Sequence, residues 1–561
     1  MKSQDWSLLK RIFLMFLDYK RQIFLIFICL LIYLIVSFIT PFLSKMIIDD
    51  GIMNNDYDQV LLLSMSLFLL VILHSIANIV KEKIRIAVSL DVYNRLISRA
   101  FEALLNIKIS YFNSKNSTEI STELEVDTNN ILLVFGENVF FAVTEVLTFF
   151  GGIVGLFIID YRMACIVFLF IPIKYVVVNI LGSKRRLSIH EFIEAKNDFA
   201  HWIGDTLEGM KEIRASGLEE RQKENLDINI SPVIKKQKQL EILNVYNSDS
   251  EKILYGLLES ILYILGVKYI FSGSITIGSL FAFITYSMYV VSPISSILNI
   301  HYSLAGVLPS AKRYYGFIDK AKREEEKSGN ILLNDFTSIN FLNVTFAYDN
   351  KKILRDASFS INKGEHIAIV GRNGSGKSTI FNLLQKFYEP DSGKITINNI
   401  FYDECEKRSF RNLYSCINQD SYIFDIGILN NIHLYQDQSD SRINNVLKES
   451  MVDDFYEEKQ INGTGQNGSN LSGGQRQKVL LARLLMRDKE IYLLDEATAN
   501  LDAYSEEHIN KIIETNLRNK TVVIISHKKK FLTAMDKILS LQEDGTVITY
   551  NSYAEMEKSE A

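Results

Sequence analysis

The nine residues Gly371-Arg372-Asn373-Gly374-Ser375-Gly376-Lys377-Ser378-Thr379 (GRNGSGKST) decide how the second half of this chain folds. An apolar run, 366–370, precedes them. An apolar helical pattern through Ile380, Phe381, Leu383 and Leu384 follows. Strand, glycine loop and helix in that order are the setting in which this spacing makes a phosphate-binding loop, the Walker A motif. Glycines let backbone N–H groups turn inward around phosphate oxygens, and the helix N-terminus adds positive potential. Lys377 is expected to reach the β- and γ-phosphates of a nucleotide, and the Ser378 hydroxyl to bind Mg²⁺.

Downstream, Ile491-Tyr492-Leu493-Leu494-Asp495-Glu496 places two carboxylates at the end of a buried strand. Alone, such a strand is ambiguous. With the phosphate loop it reads as Walker B. Asp495 is then expected to hold Mg²⁺ through water, and Glu496 to orient and activate the attacking water, because phosphoryl transfer asks mainly for positioning and charge compensation. Upstream, 339–346 and 353–361 alternate as strands do. Strand-like and helical segments then mix, which predicts an α/β domain.

Leu471-Ser472-Gly473-Gly474-Gln475 identifies the family. With both Walker motifs it makes 341–545 resemble the ATP-binding cassette (ABC) ATPases. Other positions match in order. Tyr348 stands where that family places an aromatic on adenine. Gln419 matches its Mg²⁺-sensing glutamine, and Asn500-Leu501-Asp502 its segment facing the opposite subunit. His527, after the strand 521–526, matches its γ-phosphate histidine. In isolation a tyrosine, histidine or glutamine here reads as packing or surface; order and spacing raise them to site candidates. The resemblance implies that ATP is enclosed by Walker A of one subunit and Ser472–Gln475 of another, the latter at a helix N-terminus. A second half is therefore required, identical or different. One position departs from the family: Gln466, in Thr464-Gly465-Gln466-Asn467-Gly468, replaces an acid that exporters often carry.

The first ~300 residues are of another kind. Over 561 residues the charge is near balance at −5 and 48% of residues are hydrophobic, so no nucleic-acid footprint shows. Apolar runs crowd the N-terminal half, where six approach the ~20 residues that cross a bilayer: 23–43, 60–80, 139–159, 163–181, 253–271 and 277–298. The first is about twice a signal-peptide apolar core and lacks a small-residue cleavage site, so it is expected to be retained. Residues 5–19 have helical apolar spacing at Leu8, Leu9, Ile12, Phe13 and Phe16, predicting a helix along the membrane surface. The long connections 81–138 and 182–252 carry Lys81, Lys83, Arg85, Arg95, Arg99, Lys184, Arg185 and Arg186, whereas the first short loop carries Asp49, Asp50, Asp56 and Asp58. The positive-inside rule puts the long connections and both chain ends in the cytoplasm. Their helical spacing predicts spanning helices prolonged into the cytoplasm, or else separate surface helices.

The expectation is thus a membrane all-α domain of six helices with long cytoplasmic extensions at 1–317, a solvated linker at 318–335 and an α/β P-loop cassette at 336–561. This half resembles the exporter type. Tyr111-Phe112, Ser117–Ile120 and Asp127 look like its first cytoplasmic turn; Glu208–Ile213, Gly217 and Glu219-Glu220 look like its second, the resemblance implying coupling helices that dock onto cassettes. Glu145, Lys174 and Glu259 lie at membrane depth, where ionisable groups are costly and face a cavity or a partner. They line a cargo path or form a structural ion pair, Lys174 with Glu259 or Glu145. Phe281, Tyr286 and Tyr289 touch an apolar cargo or simply pack. The four cysteines, Cys29, Cys165, Cys405 and Cys416, have no metal-type spacing and read as small buried hydrophobes. The implied function is ATP-driven export of a small molecule, lipid or peptide across the cytoplasmic membrane by a dimer of such halves. The rival is an ATP-gated channel or membrane regulator using the same ATPase.

Overall fold

The structure, a computed structural model, describes residues 3–560 apart from 114, 116, 297–305, 349–350, 461–462 and 496–502. By contact it divides into two compact units: Met1–Leu105 with Asn116–Arg323, and Asn106–Lys115 with Glu324–Ala561.

The first unit is helical: α1 (Ser3–Leu17), α2 (Lys20–Met46), α3 (Tyr57–Asn106), α4 (Ser110–Asn113, which falls in the second unit), α5 (Ser117–Leu132), α6 (Glu137–Ile159), α7 (Tyr161–Glu208), α8 (Met210–Ala215), α9 (Glu219–Phe271), α10 (Ile277–Val291) and α11 (Val307–Arg323). Among the described residues six helical stretches are long and apolar enough to cross a membrane. At 50, 48 and 53 residues, α3, α7 and α9 each run about 70–80 Å at 1.5 Å per residue, more than twice a bilayer core of about 30 Å. The prolonged-helix reading therefore holds over separate surface helices. Reversals are set by caps. Asp160 accepts the N–H groups of Arg162 (2.8 Å) and Met163 (3.1 Å), so α7 starts directly after α6. Asp49, in a π-helical extension of α2 at Ile47–Ile52, accepts the Gly278 N–H at 2.8 Å and the Thr276 hydroxyl, capping α10 from another helix. Only glycine fits there, since a Cβ on Gly278 would lie 2.5 Å from the Lys45 carbonyl oxygen.

Among its described residues the second unit holds ten strands: β1 (Ser338–Tyr348), β2 (Lys351–Asn362), β3 (His366–Val370), β4 (Ser392–Ile397), β5 (Ile400–Phe401), β6 (Tyr414–Ile417), β7 (Ile491–Asp495), β8 (Thr521–Ile525), β9 (Lys537–Leu541) and β10 (Val547–Tyr550). An antiparallel sheet runs β2-β1-β4-β5; the other runs β10-β9-β3-β8-β7-β6, parallel from β9 to β6. Both faces of this second sheet are covered. Ile367, Ile369, Leu493 and Val523 enter one core with the antiparallel sheet, while Ala368, Tyr492, Leu494 and Ile524 enter the other among helices. Two buried faces make such strands read as unbroken apolar runs.

The structure departs from the sequence reading in several places. Leu8, Ile12 and Phe16 of α1 join a buried cluster with Val88, Val92 and Leu96 of α3 and Tyr314 and Tyr315 of α11, and Phe16 stacks on Phe135 at 4.2 Å. Periodicity reports a face to be covered, not what covers it. The stretch 318–335 is mostly exposed and contains the boundary between the two units. Residues to Arg323 finish α11, then Lys108 N–H donates to Glu324 O (3.0 Å) and Glu326 N–H to Asn106 O (2.9 Å). Glu326 sits between Arg411 and Lys407. Lys174 does not pair with Glu259 or Glu145. Its buried ammonium donates to the Tyr255 hydroxyl (2.6 Å) and the carbonyls of Val291 (2.8 Å) and Ser292 (3.5 Å), where α10 ends. Tyr286 is buried and donates to Phe38 O, so it packs, whereas Phe281 is exposed. Cys165 is exposed, unlike buried Cys29 and Cys405 and half-buried Cys416. Asp127, read as part of the first turn, lies on α5, where it is 3% exposed and accepts the Arg313 guanidinium at 3.0 and 3.1 Å. Arg313→Ala leaves that carboxylate buried without its cation. The expected loss is about 1–3 kcal/mol, read as a lower unfolding midpoint of the purified protein; an unchanged midpoint would show that the pair adds nothing.

Candidate nucleotide site

Four segments converge because four neighbouring parallel strands point the same way. At the carboxyl ends of β3, β8, β7 and β6, adjacent in that order, stand the phosphate loop, His527, Asp495 and Gln419. The crevice beyond such ends is where α/β sheets take ligands.

The loop turns through left-handed backbone at Gly371 (φ +150°), Gly374 (+80°) and Gly376 (+107°). A Cβ at Gly376 would lie 2.2 Å from Ile353 Cγ2, whereas Gly374 faces open space. The helix α12 (Lys377–Leu384) begins directly after it. Lys377, 7% exposed, folds back so that Nζ donates to Gly371 O (2.8 Å) and Arg372 O (2.9 Å). Its ammonium is thus held over the cradle. Among the described residues buried Ser375 Oγ has no hydrogen-bond partner, as suits a group awaiting an acceptor or donor from a ligand. Arg372 pairs with Glu543 on the surface, and Thr379 is buried. Ser378 Oγ donates to Asp495 Oδ2 at 3.0 Å, with Asp495 5% exposed at the end of β7. Two oxygen ligands suited to a hard cation therefore meet beside the cradle, which fits Mg²⁺. Glu496, Asn500 and Asp502 lie outside the described residues.

The flanking candidates are placed as follows. Tyr348 ends β1; it is half-buried, accepts Asn382 Nδ2 at 3.2 Å and meets Tyr388 edge-to-face at 5.1 Å. Gln419 and His527 are exposed just past β6 and β8. Ser472 caps a new helix, α13 (Gly473–Met486), in a reciprocal box: Gln475 N–H donates to Ser472 Oγ (3.2 Å) and Ser472 N–H to Gln475 Oε1 (2.9 Å). Gly474 has open space where a Cβ would stand. Among the described residues neither Ser472 nor Gln475 bonds to the phosphate loop of its own chain. Gln466 is exposed in a short turn held elsewhere: Gly465 N–H donates to Asp425 (2.9 Å) and Thr464 Oγ1 to Phe424 O (2.8 Å).

Sequence reading passed over the residues that fix these candidates. Gln385, 1% exposed after α12, exchanges amide hydrogen bonds with Asn418 at 2.8 and 3.2 Å, which ties the phosphate-loop helix to the residue before Gln419. A glutamine and an asparagine 33 positions apart give no sequence signal. The first cytoplasmic turn also joins this unit: Asn113 Nδ2 donates to the Tyr388 hydroxyl at 2.6 Å, and Lys108 pairs with Glu389 at 3.4 Å.

Comparison with known proteins agrees with this architecture. Residues 23–294 match the family described as the ABC transporter transmembrane region, and residues 354–499 match the family described as ABC transporter. The chain is 27% identical to an ABC transporter ATP-binding protein of Streptococcus pneumoniae over 99% of this chain and 96% of that one. It is 27% identical to an ATP-dependent lipid A-core flippase of Burkholderia pseudomallei, covering 81% and 77%, and 26% identical to one of Methylobacillus flagellatus, covering 92% and 89%. A bacterial Atm1-family ABC exporter solved with ATP bound superposes with a TM-score of 0.80 over 97% of this chain and 96% of that one, at 21% identity. With a six-helix membrane region and a cassette in one polypeptide, the chain belongs to the ABC transporters, as a multi-pass membrane protein of exporter type whose ATP hydrolysis drives transport.

Proposed function

We propose that two such chains, identical or different, form an exporter in the cytoplasmic membrane with both chain ends in the cytoplasm, each clamping ATP between its phosphate loop and the partner's Ser472–Gln475 segment. The observation that carries this reading is the Ser378–Asp495 hydrogen bond beside a glycine cradle. In this reading residues 1–317 form the membrane domain and 336–561 the cassette. Tyr348 takes the adenine ring. The backbone of Gly371–Gly376 and the ammonium of Lys377 hold the phosphates, with Arg372 and Asn373 at the rim. Ser378, Asp495 and Gln419 would hold Mg²⁺ beside the phosphates. Bound Mg²⁺ offsets charge on the phosphate oxygens. Glu496 takes a proton from the attacking water, and His527 donates a hydrogen bond to the γ-phosphate.

Closure of the two cassettes then moves the membrane helices through the cytoplasmic turns at α4 and α8. The cargo is a small molecule, lipid or peptide, and the names of the flippase relatives favour a lipid. Glu145, Lys174 and Glu259 line its path. Support comes from the converging polar groups of α7, α9 and α10 at Lys174 and from the Glu145 Oε2 atom, buried without a hydrogen-bond partner among the described residues.

Three outcomes are expected. Glu496→Gln lowers turnover by about 100-fold or more while ATP binding persists and a dimer accumulates, seen by light scattering with Mg-ATP; near-normal phosphate release would contradict the assignment. Lys377→Ala weakens binding of a fluorescent ATP analogue by at least about tenfold, because a charged partner of the phosphates is lost; unchanged affinity would remove Lys377 from the site. Glu145→Gln and Glu259→Gln alter cargo range or rate in vesicles with ATPase intact. Wild-type transport in both would take these carboxylates off the path.

A further inference from the structure

Two opposite charges lie buried among the membrane helices without pairing, and neutral hydroxyls keep them apart. The Lys174 ammonium of α7 has three N–H groups and three acceptors: the Tyr255 hydroxyl of α9 (2.6 Å), Val291 O (2.8 Å) and Ser292 O (3.5 Å). It is fully buried and has no N–H left to offer. Glu145 of α6 reaches the same turn. The Ser292 side chain hydrogen-bonds both the Glu145 carboxylate and Tyr255. Among the described residues Glu145 Oε2 is buried without a hydrogen-bond partner, and so is Ser295 Oγ. Ser295 is 7% exposed and follows Ser292 by three positions, its N–H donating to Ser292 O at 3.2 Å in the turn that prolongs α10. Residues so spaced share one face of a helix.

An acceptor left open among membrane helices is costly, the more so on an ionisable group. A carboxylate oxygen and a hydroxyl oxygen on neighbouring helices call for one incoming group rich in donors. Ring faces stand close by. Tyr33 of α2 lies within range of the Glu145 charge and of Tyr289 of α10, and both tyrosines are half-buried. The face of a tyrosine ring attracts an ammonium. The cytoplasmic approach has the same preference. There α5, α7 and α11 border a cavity of about 760 Å³, lined among others by Glu119, Glu123, Asp127, Asn197, His201 and Arg313. Three carboxylates stand against one guanidinium, which pairs with Asp127. A cleft lined by one sign of charge concentrates ligands of the other.

We propose that Glu145 Oε2 and Ser295 Oγ form a subsite for a protonated amine, and that the cargo is an amphiphile whose polar end carries one. The ammonium donates to both oxygens, with Tyr33 and Tyr289 beside it. Lys174, saturated by its own acceptors, gives the cargo no hydrogen bond. This rests on the cargo path proposed above and names the chemistry which that path selects.

The test uses the full chain in liposomes. Phosphate release from ATP is titrated with three probes of one chain length: dodecylamine, dodecanol and dodecyl phosphate. The parent chain, Glu145→Gln and Ser295→Ala are compared by the half-saturating concentration of each probe, and the unfolding midpoint of each is recorded. In the parent, dodecylamine is expected to act at least about tenfold below the other two. Glu145→Gln shrinks that preference by at least about tenfold and Ser295→Ala by about threefold, as befits a charge-assisted and a neutral hydrogen bond. Any effect of the amine on the bilayer is common to parent and variants, so the ratio of probes reports the site. A merely structural role lowers the unfolding midpoint and the active fraction while the ratio stays, and that result overturns the proposal. So does an equal response of the parent to amine and alcohol. Ser295→Ala decides alone if Glu145→Gln does not fold. If dodecyl phosphate is preferred and Glu145→Gln shifts it, the amine class falls and the cargo path stands. If no probe changes turnover, the amine class falls, and transport by Glu145→Gln and Glu259→Gln in vesicles judges the path separately.

Discussion

A hydroxyl on the first turn of one helix touches a carboxylate at the end of one strand, Ser378 Oγ to Asp495 Oδ2 at 3.0 Å, and the proposed chemistry of the cassette depends on that meeting. The two residues are 117 positions apart. They meet because β3 and β7 both pair in parallel with β8, so the loop after one strand and the carboxylate after the other leave the same edge of the sheet. Parallel pairing requires the chain to return each time over a face of the sheet, which covers both faces and makes the strands continuously apolar. The sheet is therefore stable as a buried layer, and its carboxyl edge is the place where polar groups collect without being packed away.

That logic explains how much could be read from residues alone. The phosphate loop, the Asp495 strand and the Ser472 cap were legible because each is a local pattern in which one geometry demands particular residue types: glycine at positive φ, a carboxylate after four buried residues, serine with glutamine three positions on. The six spanning helices were legible for a similar reason, since hydrocarbon demands length and apolarity. What escaped notice were contacts between distant, chemically ordinary residues. Gln385 with Asn418, Arg483 with Asn431 and Asp127 with Arg313 are pairs that no spacing rule links. The stretch 318–335 looked like a linker because it is charged. Within it Glu326 is anchored by Arg411 and Lys407, a partnership composition cannot show.

In the membrane half, the same physics runs on scarcity. Lys174, 1% exposed, binds the carbonyls left open where α10 stops and the hydroxyl of Tyr255. Asp49 caps α10 from the neighbouring helix, and Asp160 caps α7. Backbone groups freed at helix ends are expensive in lipid, and charged or hydroxylated side chains close them. Ionisable residues in these helices thus hold the fold. The long extensions of α3, α7 and α9 carry the helices beyond the bilayer to the turns at α4 and α8.

The most direct test of the central claim is the rate of phosphate release by the full chain in liposomes when Asp495 is replaced by Asn, which keeps shape and removes the charge. If catalysis is organised at the carboxyl edge of the parallel sheet, turnover falls by about 100-fold or more with folding intact. Turnover near that of the parent chain would mean that the Ser378–Asp495 meeting is structural only and that hydrolysis is organised elsewhere.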